Sequence, residues 1–257
     1  MSHENERPTF DGRGLCGSDS TSPLQSARRH LRGVEAAVSG VDESGRAAAG
    51  TRQGRALWRW AQENSRSLTP DQYLEKIDGG GQEHRVWHDL KERRYWKATY
   101  AGHFGWVAGL DFRYNKRSQE DEPFIGMGEA LPLEYLDRLI LQNEVFADDI
   151  RLEACAIEKE GLVVLTSQPF VRGRKPKPAA ILETMLLLGF ERIPGLPANT
   201  EDSFSFYRRP DRVSAFDAHT GNFILSGNLV VPIDLVMVRA GEDMHDYLCR
   251  RIDAARN

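Results

Sequence analysis

Apolar residues recur at helical spacing most clearly after Pro132, where Leu133, Leu136, Leu139, Ile140, Asn143 and Phe146 predict a helix running to about Ala147. Leu24, Ala27, Leu31 and Val34 share one face of a short helix over Pro23 to Val38. Ala56 to Ala61 reads as a helix anchored by Trp58 and Trp60. Thr69 is placed to cap a shorter one, with Pro70 at its first position. Further helices are expected from Ala179 to Leu188, ended by Gly189, and from about Asp243 to Ala255. Strand patterns pair Arg85–His88 with Arg94–Thr99 across the charged turn Asp89 to Glu92. Ile150–Glu158 and Leu162–Ser167 form a second pair, turning at Lys159-Glu160-Gly161 and closed by Gln168-Pro169-Phe170. Ser203–Arg208 reads as a short strand, and Phe223–Leu225 with Leu229–Ile233 as a hairpin around Ser226-Gly227-Asn228. Lys175 to Pro178 is a stiff spacer. Tyr100 to Ala130, with its glycines and the polar run Lys116 to Glu122, is expected to be largely loop. Met1 to about Gly54, poor in aromatic and long aliphatic residues, is expected to be mostly disordered apart from the short helix.

Composition narrows the function classes. A net charge of −4 provides no global field for nucleic acid or anionic membrane. The arginines of the first helix, Arg28, Arg29 and Arg32, are read as a solvated face, with a nucleic-acid arm ranked behind. Cys16, Cys155 and Cys249 are odd in number and widely spaced, against a disulfide framework or a zinc site. The first residues lack an apolar signal region, and no apolar run reaches membrane-spanning length. A soluble cytoplasmic protein is the expectation.

The candidate chemistry lies late in the chain. Asp217 is followed five residues on by Asn222, and twelve beyond that by Asp234 at the end of the apolar strand Leu229–Ile233. An unpaired carboxylate buried at that strand end would be costly. A divalent cation bridging Asn222, Asp234 and phosphate oxygens would offset the cost, and hard oxygen ligands suit Mg²⁺. In phosphoryl transfer an acid placed like Asp217 orients or deprotonates the acceptor hydroxyl. An Asx-rich turn with a capping Asp is the bland alternative. His219 is read as bracing the loop.

A strand lysine usually reaches the α and β phosphates, and Lys97, sixteen residues after Gly81, is the candidate. A surface strand lysine is its alternative. Gly79-Gly80-Gly81 would let backbone amides approach phosphates, with Gly80 and Gly81 as the contact residues, although a bare turn explains the glycines as well. Glu134 and Glu144 compete as the helix partner of Lys97. Thr166-Ser167-Gln168-Pro169 falls where an inter-lobe hinge would bind an adenine edge, which brings in Gln168.

Asp217-x-His219-x-Gly221-Asn222 resembles the catalytic loop of aminoglycoside- and choline-kinase-type phosphotransferases, with Thr220 in place of their proline and without their His two residues before the Asp. The chain is more similar to the kinase-like domain found in polyvalent proteins of phages and mobile elements, from about Gly80 to Ala240. That likeness rests on Gly81 to Trp87, Trp96-Lys97, Glu134 to Leu139, Gln142 to Phe146, Ser167 to Phe170 and the Asp217 to Asp234 segment. The resemblance implies an α+β, bilobal protein-kinase-like fold. After a tail over 1–55, a small antiparallel-sheet N-lobe with leading helices would occupy 56–167 and a reduced helical C-lobe 168–257. It also implies a Ser/Thr/Tyr-type kinase that uses ATP and Mg²⁺ on a hydroxyl acceptor, protein or small molecule. Asp217, Asn222, Asp234 and Lys97 would be its catalytic residues. Asp234-Leu235-Val236 stands where Asp-Phe-Gly is usual, and the twenty-three residues after Asp234 leave little room for an activation segment. The expectation is a compact kinase, and the alternative a pseudokinase-type binding module.

Overall fold

The computed structural model describes residues 22–38, 45–117, 119–196 and 203–256. Its first element is the amphipathic helix α1 (Pro23–Val38). Leu24, Ala27 and Leu31 are buried against α2 (Arg46–Glu63) and α3 (Pro132–Phe146), where Leu57, Trp60, Leu136 and Ile140 meet them. Each buried leucine is worth about 1.5–3 kcal/mol in removed apolar surface. Two of the α1 arginines are held within the fold: Arg28 and Arg32 both ion-pair with Asp137 on α3. The short helix expected over Pro23 to Val38 is present, whereas the disorder expected up to Gly54 does not hold for residues 45–54. α2 starts ten residues before Ala56 because alanines favour helix and Gln53 is buried, its Oε1 accepting the Leu133 N–H at 3.0 Å.

Eight strands then follow among the described residues up to Pro169. β1 (Ser67–Leu68) precedes a helical turn at Pro70–Gln72, whose Gln72 Oε1 accepts the Thr69 N–H at 2.7 Å. β2 (Gly79–Gly80), β3 (His84–Asp89) and β4 (Arg94–Thr99) follow. Next come β5 (Trp106–Asn115) and β6 (Glu120–Glu129), then α3, β7 (Arg151–Glu158) and β8 (Gly161–Pro169). A six-stranded sheet runs in the order β1-β7-β8-β4-β3-β2, antiparallel except for the β1–β7 pair. α3 lies against it through Tyr135, Leu136 and Leu139, which share a core with Leu152, Cys155 and Val164.

β5 and β6 overturn the expected loop over Tyr100 to Ala130. They pair over ten residues each, from Trp106↔Glu129 to Asn115↔Glu120. Trp106, Ala108, Leu110, Phe112 and Tyr114 alternate with smaller or polar residues, the period of a half-buried strand. Trp106, Ala108, Leu110, Ile125 and Met127 pack on the C-terminal helix, and that burial outweighs the glycines.

The second half holds α4 (Pro178–Leu187), β9 (Glu191–Arg192), β10 (Phe204–Arg208), β11 (Val213–Ala218), the hairpin β12 (Phe223–Ser226) and β13 (Leu229–Pro232), β14 (Val236–Arg239) and α5 (Glu242–Ala254). A helical lobe does not describe it, because among the described residues six strands stand beside two helices. The four-stranded antiparallel sheet β14-β11-β10-β9 is covered on both faces. Phe206, Ala215 and Met237 meet Ile181 and Met185 of α4, whereas Tyr207, Phe216 and Val236 meet Tyr247 and Leu248 of α5. Every residue of β11 is consequently buried. The chain is mixed α+β.

Among the described residues no helix is long and apolar enough to cross a membrane. Cys155 and Cys249 are free thiols, and Cys16 lies outside the described residues.

Candidate active site

β11 and β14 run antiparallel with Phe216 opposite Val236, so the end of one strand lies beside the start of the other. This register brings Asp217 and Asp234 to the same edge although seventeen residues separate them in sequence. Between them the chain makes the turn Thr220–Asn222 and the β12–β13 hairpin, and the Ile233 N–H donates to the Asn222 carbonyl at 2.9 Å.

Asp217 is buried and in the left-handed region at φ 57, a conformation that costs about 1 kcal/mol or more for a residue with a side chain. Asn222 Nδ2 secures it, donating to the Asp217 carbonyl at 2.8 Å and to Oδ2 at 3.0 Å. The other carboxylate oxygen, Oδ1, is buried without a hydrogen-bond partner. Burial raises the Asp217 carboxyl above its ordinary value, against the pull of His219 and Asn222. His219 Nδ1 accepts the Gly221 N–H at 3.0 Å, which is the bracing contact its position predicted.

Lys97 reaches this edge from the six-stranded sheet. It stands opposite Val86 and Thr166, so these three side chains share one sheet face with Tyr95 and Gln168. Lys97 Nζ donates to the Ile233 carbonyl at 3.1 Å and lies 3.7 Å from Asp234 Oδ2. Of the residues singled out from the sequence, Asp217, Asn222, Asp234 and Lys97 are therefore brought together, with Gln168 on the same sheet face as Lys97.

Glu134 and Glu144 are not. Glu134 sits in the first turn of α3, where it accepts the Leu131 N–H at 2.7 Å and pairs with Arg46 at 2.6 Å. Glu144 is exposed and pairs with Arg239 of β14 at 3.4 Å. The face of α3 turned to Lys97 and Asp234 instead carries Tyr135 and Arg138, one turn apart. The glycine expectation also changes. Gly79 and Gly80 pair with Val86 and Arg85 as β2, and the Gly81 N–H is already donated to the His84 carbonyl at 2.8 Å. A Cβ on Gly80 would meet that carbonyl at 3.2 Å, whereas one on Gly81 would meet nothing within 4 Å. Of these two, only Gly80 is closely packed.

Three residues of the site were not singled out from sequence. Arg138, with its side chain 4% exposed, binds Glu83 Oε2 at 2.6 Å, Asp234 Oδ1 at 2.8 Å and the Leu235 carbonyl at 2.8 Å. His84 is buried behind Glu83, with Nε2 3.1 Å from the Tyr135 hydroxyl. The signal available for Arg138 was an arginine within the apolar stripe of a helix; Glu83 gave none.

Burial alone would raise Asp234, but Lys97 and then Arg138 hold it well below the usual carboxylate range. Glu83 goes the other way, pushed up by burial in spite of Arg138. Ligand atoms of Glu83, His84 and Asp234 lie within 4.8 Å of one another, a spacing that suits a metal ion. Lys97 and Arg138 already balance the two acids there, so this trio reads as an ion-pair network. Asn222 and Asp234, the pair expected from sequence to hold a hard cation, are differently engaged. Asp234 is kept anionic, with Oδ1 on Arg138 and Oδ2 3.7 Å from Lys97 Nζ, while the amide nitrogen of Asn222 is fixed on Asp217, which turns its oxygen away from that residue.

Compared with protein-family models, with curated proteins and with solved structures, the chain finds no match in any of the three.

Proposed function

We propose that this chain is an ATP- and Mg²⁺-dependent phosphotransferase of the kinase type, passing the γ-phosphoryl group to a hydroxyl acceptor. The observation that carries the reading is the Asp217 carboxylate. It is buried, held in a strained backbone by Asn222, and left with an oxygen that no described residue uses. A structural acid would be expected to satisfy both oxygens. An acid that must accept a hydroxyl proton needs an oxygen not committed to a protein donor.

The surroundings support the same role. The strand order β7-β8-β4-β3-β2, with Lys97 on the middle strand and its Nζ on the Ile233 carbonyl, sets a cation beside the Asp217–Asp234 segment and supports the reading. Lys97 would bind phosphate oxygens, and Asn222 and Asp234 would hold Mg²⁺, whose charge offsets that of the triphosphate. Asp217 would align the acceptor hydroxyl and receive its proton.

A second reading, a pseudokinase-type binding module, is favoured by one observation: among the described residues Lys97 meets no helix glutamate, and both Lys97 and Arg138 rest on Asp234. Calorimetric titration with ATP and Mg²⁺ addresses the nucleotide site common to both readings. The chain should bind, Lys97→Met should weaken binding about tenfold or more, and Asp217→Ala should leave it nearly unchanged. Absence of binding by the native chain would remove the nucleotide site, and turnover then separates enzyme from scaffold.

A further inference from the structure

The ion network around Arg138 contains more than phosphoryl transfer by the residues above would need. A buried arginine persists only where its charge is balanced, and here two acids share that task. They are held differently. Asp234 lies between β13 and β14 and also touches Lys97. Glu83 stands on a three-residue turn, Gly81–Gln82–Glu83, between a two-residue glycine strand and β3. Beyond the β2–β3 pairing, that turn is tied by the Gly81 N–H to the His84 carbonyl and by the Tyr100 hydroxyl, which donates to the Gly81 carbonyl at 2.9 Å. The carboxylate nevertheless has a made-to-measure seat. A Cβ on Gly105, itself at φ 75, would come within 2.2 Å of Glu83 Oε2.

Charge decides what the seat is for. With Glu83 in place, Lys97 and Arg138 balance Asp234 and Glu83. With Glu83 withdrawn, one positive charge is left over, on the opposite side of the Asp234 carboxylate from Lys97. We propose that Arg138 is a second phosphate-binding cation beside Lys97, and that Glu83 is a resident carboxylate which the phosphates of the nucleotide displace. This rests on the phosphotransferase reading. A polyphosphate brings several charges and several acceptor oxygens to a guanidinium fork, where Glu83 offers a single oxygen. Displacement would carry the glycine turn outward with Glu83, so that the turn reports on site occupancy.

Titration of the whole chain with inorganic tripolyphosphate, which has no nucleobase, tests this, with ATP as a second titrant and Mg²⁺ present throughout. Glu83→Gln keeps the size of the side chain and removes its charge. It should bind tripolyphosphate about tenfold more tightly than the native chain, the change that 1.4 kcal/mol makes in a dissociation constant. Arg138→Gln in the Glu83→Gln background should abolish that gain. If that variant fails to fold, Arg138→Lys keeps the charge without the fork and should weaken binding severalfold. Equal or weaker binding by Glu83→Gln would overturn the displacement, and an undiminished gain without Arg138 would overturn its role as the cation. The two levels separate cleanly. Phosphoryl transfer by a chain whose Glu83→Gln variant binds no tighter sinks this inference alone. The predicted tripolyphosphate pattern without transfer from ATP sinks the phosphotransferase reading.

Discussion

His84 shows how burial sets the behaviour of a single residue in this site. Its ring is enclosed against Tyr135, and desolvation lowers its pKa from 6.5 to about 3. The native state therefore keeps it neutral where the unfolded chain takes up a proton. Between about 6.5 and about 3 the unfolded state binds more protons, so stability falls as pH drops through that window. Urea midpoints followed from about pH 7 to about pH 4.5 should show this slope in the native chain and a shallower one in His84→Gln. Equal slopes would contradict it. Residues of this kind divide by how far sequence reveals them. Asp217, Asn222 and Asp234 were legible because their chemistry is rare in so tight a spacing, and Lys97 because a strand pattern surrounds it. Arg138 and Glu83 were not, because their pairing joins α3 to a turn fifty-five residues earlier and exists only in the folded chain. The glutamates chosen for Lys97 failed for a local reason: Glu134 caps its own helix and Glu144 faces β14.

At the scale of elements, α1 is the clearest test of packing. Leu31 is fully buried between α2 and α3, while Arg28 and Arg32 fasten the same helix to Asp137. Leu31→Ala should destabilise the chain by about 2–5 kcal/mol in chemical denaturation. A loss below about 0.5 kcal/mol, the range of surface substitutions, would show that α1 contributes nothing to the core. Arg32→Ala should cost far less, since exposed ion pairs are worth about 0–1 kcal/mol. Periodicity revealed this helix, α3, α4, α5 and the paired strands β3–β4 and β7–β8 to within a few residues. It did not reveal the β5–β6 hairpin. There, alternation was present from Trp106 to Tyr114, but glycines at 109, 126 and 128 and a charged tip obscured it. What stabilises the hairpin is contact with α5, more than a hundred residues away, which no local window contains.

On the scale of the whole molecule, two sheets meet at one edge. The six-stranded sheet supplies Lys97, α3 supplies Arg138, and the four-stranded sheet delivers Asp217 and the start of the Asp234 segment. Lys97 to the Ile233 carbonyl and Arg138 to the Leu235 carbonyl, with the ion pairs of both to Asp234, are among the bonds that join the halves across this edge. The mixed α+β class was legible from the order of elements. In the second half α4, β10, the β12–β13 hairpin and α5 were read from sequence, whereas β9, β11 and β14 were not; β11 is buried on both faces and lacks the alternation that marks a half-exposed strand. The central claim is that this edge transfers phosphate. Incubating the chain with γ-labelled ATP and Mg²⁺, and following the label into protein, small hydroxyl compounds and free phosphate, tests it directly. The account predicts transfer by the native chain and a loss of about 10²–10⁴-fold in Asp217→Ala. Absence of transfer by the native chain, or transfer undiminished in Asp217→Ala, would contradict it.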